Sequence, residues 1–147
     1  MTSPIVPREE AIARMQAYQD ALEQALGRGG SYYGALFDKP PGRLVAHEID
    51  RDKVILRVNR FELELLGYRE DQMVGRPVWE FIVMQEVGQR AMDKKLSGTV
   101  ELKPFVRTLV RADGSPLPMV LLDRHRKDVR GSIVGIRTVG METSGQF

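Results

Sequence analysis

The segment Leu117-Pro118-Met119-Val120-Leu121-Leu122 is apolar at every position. Its brevity and its flanking turn residues read as a strand. A strand with one wet face alternates apolar and polar side chains, so apolar residues on both parities demand cover on both faces of the sheet. The sequence offers one obvious cover. From Arg8 to Leu26 there is no Gly or Pro, and Ala11, Met15, Tyr18, Leu22 and Ala25 recur at alternating spacings of four and three. Ile12 and Leu26 widen this stripe, which lies on one face of an amphipathic helix. Glu9 and Glu10 suit the start of that helix, and Gly27, Gly29 and Gly30 its end. The helix of this chain, or a partner's copy of it, is the available cover.

The other elements follow from turn chemistry and periodicity. Residues 27–42 are rich in Gly and close on Pro40-Pro41-Gly42, which reads as a connector. Residues 44–50 and 53–58 read as strands joined at Arg51-Asp52. Asn59 is a good N-cap for a helix through Leu66, and Gly67 stops it. Residues 69–84 read as short helical turns around Gly75-Arg76-Pro77. Gln85 to Leu96 reads as a helix closed by Gly98. Val100 to Ala112 reads as a strand interrupted by Pro104. Asp113-Gly114 signals a hairpin, with positive φ at both central residues of a type I′ turn. Ser132 to Val139 completes the set.

Composition narrows the chemistry. The chain has 147 residues, 42% of them apolar and 29% charged, a one-domain globular length and balance. It has no Cys, which excludes disulfides, thiolate catalysis, Cys-ligated zinc and iron–sulfur clusters. No apolar run reaches a membrane span and no signal peptide is legible, so a cytoplasmic location is expected. A net charge of +2 does not by itself point to nucleic acid or an anionic membrane. The basic run Arg124-His125-Arg126-Lys127 reads as a solvated hairpin end. Neither nucleic acid nor a membrane is expected as a partner.

Several local strings, in this order and spacing, are similar to a known family. Val58-Asn59, Leu65-Leu66-Gly67-Tyr68 and Met73-Val74-Gly75-Arg76-Pro77 resemble the first half of a PAS domain. Arg111-Ala112-Asp113-Gly114-Ser115, then Pro118-Met119, Gly131 and Gly135-Ile136, resemble the second half. The resemblance covers about residues 43–140. It implies an α+β fold, a five-stranded antiparallel sheet with short helices on one face, here with an added N-terminal amphipathic helix. The chain then divides into an arm at 1–42, the PAS-like domain at 43–140 and a polar tail at 141–147.

The resemblance also implies a sensory or regulatory role without catalysis, exerted through dimerisation and protein–protein contact. The dimer candidates are Ala11, Ile12, Met15, Tyr18, Leu22, Ala25 and Leu26. A homodimer and a signalling protein are the expected partners. Flavin photosensors of this family use a Cys, as does the family's covalently linked chromophore, and this chain has none. Haem-binding members usually ligate iron through a His on the long helix, and Gln85 to Leu96 contains no His. Met92 on that helix reads as a core methionine rather than a haem ligand. No cofactor and no metal are therefore expected, and no catalytic residue is assigned.

The alternative is a sensor whose cavity holds a small molecule. The helices would contribute Trp79, Phe81, Ile82, Met92 and Leu96 to its lining, and the sheet Phe105, Leu109, Met119 and Leu121. The same residues would serve as a filled core, which is the preferred reading. By period two Asp123 shares the face of Met119 and Leu121, and counting across the next turn sets Arg137 opposite Asp123. That pair would sit at the cavity mouth, where it orients a polar ligand or is simply solvated. A small α+β enzyme is a third reading, but the two histidines, His47 and His125, do not assemble into a catalytic set with their strand neighbours.

Overall fold

The helix over Arg8–Leu26 (α1) forms where the sequence lacks helix breakers, with Glu9 and Glu10 in its first turn and Gly27 at its end. The computed structural model describes residues 6–143. Positions 1–5 of the expected arm and 144–147 of the expected tail lie outside the described residues. A second helix, α2, follows at Gly30–Asp38. It lies where the glycines predict a connector. Burial of Tyr33 and Phe37 against the layer that holds α1 outweighs the low helix propensity of Gly30 and Gly34.

Strands β1 (Val45–Asp50) and β2 (Ile55–Val58) lead to helices α3 (Arg60–Leu66) and α4 (Glu70–Met73). A 3-10 turn at Val78–Phe81 and helix α5 (Gln85–Leu96) come next. Strands β3 (Phe105–Val110), β4 (Pro116–Lys127) and β5 (Ile133–Glu142) complete the sheet. The five strands are antiparallel neighbours in the order β2-β1-β5-β4-β3. No helix among the described residues is long and apolar enough to cross a membrane.

β4 explains the three layers. Leu117, Met119 and Leu121 enter a core with α3–α5, including Leu66, Met73, Phe81 and Met92. Val120 and Leu122 point the other way and pack with Met15, Tyr18, Leu22 and Phe37. The chain's own α1 and α2 are thus the cover that the doubly apolar strand requires. β5 runs to Glu142 with Met141 buried, so the strand extends past the 139 expected from sequence and into the expected tail.

Local chemistry sets the corners. Asn59 ends β2 and caps α3. Its Oδ1 accepts from the Glu62 backbone N–H at 2.9 Å, and its Nδ2 donates to the Leu44 carbonyl at 3.0 Å. The Asp113-Gly114 corner is not type I′, because only Gly114 has positive φ, at 86°. The Gly114 N–H reaches the Arg111 carbonyl and the Arg111 N–H the Ser115 carbonyl, which makes the longer hairpin loop that ends on a left-handed glycine. Asp113 Oδ1 braces it by accepting from the Ser115 N–H and hydroxyl. Pro104 does not merely interrupt its strand. β3 starts after it, at Phe105, because proline has no N–H for the ladder.

Candidate functional site

The inner face of the sheet, beneath α3–α5, carries a polar row within the apolar core. His47 on β1 is the register partner of Thr138 on β5, and Thr138 is the partner of Asp123 on β4. Each end of the row is held by a helix. Glu62 of α3 places both carboxylate oxygens 3.0 Å from His47 Nδ1. Lys95 of α5 sets its Nζ 2.6 Å from Asp123 Oδ2, while Thr138 Oγ1 donates to Asp123 Oδ1 at 2.5 Å. The Lys95 ammonium also lies 3.4 Å from the centroid of the Phe105 ring. His125 meets the Lys95 carbonyl through Nε2 at 2.8 Å. Glu62 and Asp123 are each 1% exposed, so both charges depend on these partners.

Burial alone would push His47 toward its neutral form. The Glu62 carboxylate opposes this through charge and hydrogen bond, with smaller help from Asp123 and Glu48, and the net direction is upward from 6.5. The His47–Glu62 pair therefore favours the imidazolium–carboxylate form. Between the row and the helices is a cavity of about 20 Å³, lined by His47, Glu62, Thr138, Met92, Phe105 and Leu121, among others. That volume is room for about one water molecule.

The expected cavity residues distribute as follows. Phe81, Ile82, Met92, Leu96, Leu109, Met119 and Leu121 are buried in the inner core, with Phe105 partly buried against it. Trp79 is half-buried and does not line the cavity. The Asp123–Arg137 pair does not form. Lys127 pairs with Ile133, and that register continued would set Asp123 opposite Arg137. A bulge between Arg126 and Lys127 shifts the ladder by one residue, so Asp123 faces Thr138 and Arg137 faces Arg124 on the other side of the sheet.

There Arg137 lies under α1, 2% exposed. Its Nε donates to Gln19 Oε1 at 2.6 Å and one terminal nitrogen to Glu23 at 3.1 Å. The other donates to the Tyr33 hydroxyl at 3.5 Å, and that hydroxyl donates to Glu48. Burial, then the adjacent Glu48, pushes the Tyr33 hydroxyl up to about 12, with Arg137 opposing. Arg57 stacks over the Tyr33 and Phe37 rings at 5.6 and 5.1 Å.

The expected dimer residues Ala11, Met15, Tyr18, Leu22 and Ala25 are buried on this outer face against Val120, Leu122, Val139 and Met141 of the same chain. Ile12 is partly buried there, and Leu26 is 59% exposed. The stripe is consequently not a free surface.

Sequence reasoning did not find Glu62, Lys95, Thr138 or Gln19. For Gln19 a signal existed, since it falls one turn after Met15 on the apolar stripe yet is polar. Among the described residues no group of three or more His, Asp or Glu is placed to hold a metal ion.

Solved structures share this architecture. The chain superposes on the PAS domain of an HTR-like protein from Haloarcula marismortui with a TM-score of 0.63 at 24% identity, over 87% of this chain and 99% of that one. For the PAS domain of a Colwellia psychrerythraea protein the TM-score is 0.67 at 14% identity, over 79% and 98%. For the Rhodobacter sphaeroides LOV protein it is 0.62 at 17%, over 76% and 65%. No protein-family model matches the chain, and no curated protein matches it. The fold is that of a PAS domain, with a helical cap on the outer face of its sheet.

Proposed function

We propose that this chain is a PAS-type sensory or regulatory signalling module that acts through protein–protein contact rather than through catalysis or a resident cofactor. The observation that carries the reading is the filled inner face, a PAS fold whose cavity measures about 20 Å³. A flavin- or haem-sized group needs several hundred Å³. The ionisable groups beside the cavity also satisfy one another, which supports a structural use of His47, Glu62, Lys95 and Asp123. Native mass spectrometry and an absorbance spectrum of the purified protein test this. The bare chain mass with no absorbance beyond the aromatic band is expected, and a stoichiometric small molecule overturns the reading.

A second reading, a ligand-binding sensor, draws support from the polar lining of that cavity by His47, Glu62 and Thr138. It requires the inner core to open. A homodimer fits the proposal only through surfaces other than the α1 stripe, unless α1 exchanges between copies. Sedimentation of the whole chain reads the mass directly, and a monomer at high concentration counts against the dimer.

A further inference from the structure

We infer that the exposed face of α5, with Val83 and Met84 at its start, is where a second copy of this chain docks, as an antiparallel helix pair about a two-fold axis near Gln89. The inference rests on the reading of this module as one that acts through protein contact, and names the surface and the partner.

Three large apolar side chains are exposed together at this place. Val83 is 53%, Met84 64% and Val87 37% exposed. The backbone fixes the first two where they are. The Val83 N–H donates to the Thr108 carbonyl of β3 at 3.0 Å, and the Met84 carbonyl accepts from the Gly88 N–H at 3.0 Å. Ile82 turns inward and is buried, and Gly88 lets the helix start close over it, since a Cβ there would lie 3.0 Å from Ile82 Cδ1. Met84, Val87, Ala91 and Lys94 follow one another at spacings of three, four and three. That spacing is a seam along the helix, on a different face from the buried Gly88, Met92 and Leu96.

Charge selects the occupant. On α5, Asp93 is held by Lys53 at 2.7 Å and Lys95 by Asp123 at 2.6 Å. The acids next along the chain, Glu80 and Glu101, pair with Arg76 and Lys103. Glu86, Arg90 and Lys94 are exposed and make no ion pair with any described residue. A purely acidic or purely basic partner would satisfy one of Glu86 and Arg90 and repel the other. A second copy satisfies both, because a two-fold contact sets residue i against j and j against i. With the axis near Gln89, Val87 meets Ala91 of the second copy, and Met84 meets the stem of its Lys94. Glu86 and Arg90 share one flank of the seam, one turn apart. Each therefore comes within reach of its opposite number in the second copy, which makes two reciprocal ion pairs. The contact spans a helix of twelve residues, so the association is weak and reversible.

The test is sedimentation velocity and nuclear magnetic resonance of the isotope-labelled whole chain, from about 10 μM to about 1 mM, where a contact of this size populates. Self-association is expected, weakened by salt, with amide shifts on dilution centred on residues 83–94. Glu86→Arg and Arg90→Glu each set like charges across the axis and are expected to weaken it about tenfold or more. Mixing these two variants restores opposite charges at both contacts, so a mixed dimer of wild-type strength is expected. The double variant Glu86→Arg with Arg90→Glu is expected to self-associate as the wild type does. A chain that stays monomeric at about 1 mM overturns the site. So does association unaltered by either single variant, failure of both the mixture and the double variant to recover it, or amide shifts centred elsewhere. A co-purifying cofactor would instead overturn the reading beneath, so the two failures are distinguishable.

Discussion

Gln19 on α1 and Arg137 on β5 are joined in both directions. Gln19 Oε1 accepts from Arg137 Nε at 2.6 Å, and Gln19 Nε2 donates to the Arg137 backbone carbonyl at 2.9 Å. The same Nε2 also reaches the Leu122 carbonyl at 3.0 Å, so one amide ties the helix to two strands.

Replacing this amide should therefore be expensive for its size. Gln19→Ala leaves a buried guanidinium short of an acceptor, and the expected loss is roughly 2–3 kcal/mol of unfolding free energy. Urea denaturation checks it. A loss under about 0.5 kcal/mol, the range of ordinary surface changes, would show that water replaces the amide.

The His47–Glu62 pair gives the stability a definite pH dependence. The folded pKa of His47 is raised above its unfolded value of 6.5. Its contribution is thus fully present below pH 6.5 and is lost as pH rises through the folded value. Denaturant midpoints measured from pH 6 upward should fall over that interval, and Glu62→Gln should flatten the slope. An unchanged slope in that variant would contradict the assignment.

Removal of residues 1–27 should uncover Val120, Leu122, Val139 and Met141, which α1 now buries. The exposed sheet face is expected to make the truncated chain self-associate. Sedimentation velocity of both forms checks this, and equal monomer masses would run against it.

Two glycines should respond differently to alanine. A Cβ at Gly135 would lie 2.0 Å from the Ile49 carbonyl oxygen, inside the sheet where the backbone cannot yield. Gly114 has open space but a φ of +86°. Gly135→Ala is expected to cost about 3 kcal/mol and Gly114→Ala about 1 kcal/mol, both read from thermal or urea unfolding. The reverse order would refute the steric account.

Much of this layout was legible in the sequence, for physical reasons that particular residues make plain. The doubly apolar run around Val120 and the α1 stripe each report a burial requirement, and the structure satisfies one with the other. Asn59 and Gly67 announce a helix start and stop through their own backbone chemistry. Where tertiary contact decides, the sequence misleads. Gly30 and Gly34 suggest a connector, yet Tyr33 and Phe37 anchor a helix. The polar row was illegible because Glu62 and Lys95 reach their partners from separate elements, and a Glu one turn into a helix ordinarily faces water. The site of Arg137 was missed by one position, because a bulge has no reliable local signature.

That bulge makes the β4–β5 hairpin a selector between two chemistries. Were Val134 drawn into the ladder opposite Arg126 instead of being bulged out, the strand beyond it would present its alternate set of side chains. A guanidinium would then enter the inner core beside the Asp123 carboxylate, and a threonine would be offered to Gln19. The bulge thereby decides which ionic partners each layer receives. A change that flattens the bulge should be rejected here, while substitutions at the exposed tip, such as at Val129, should pass unnoticed.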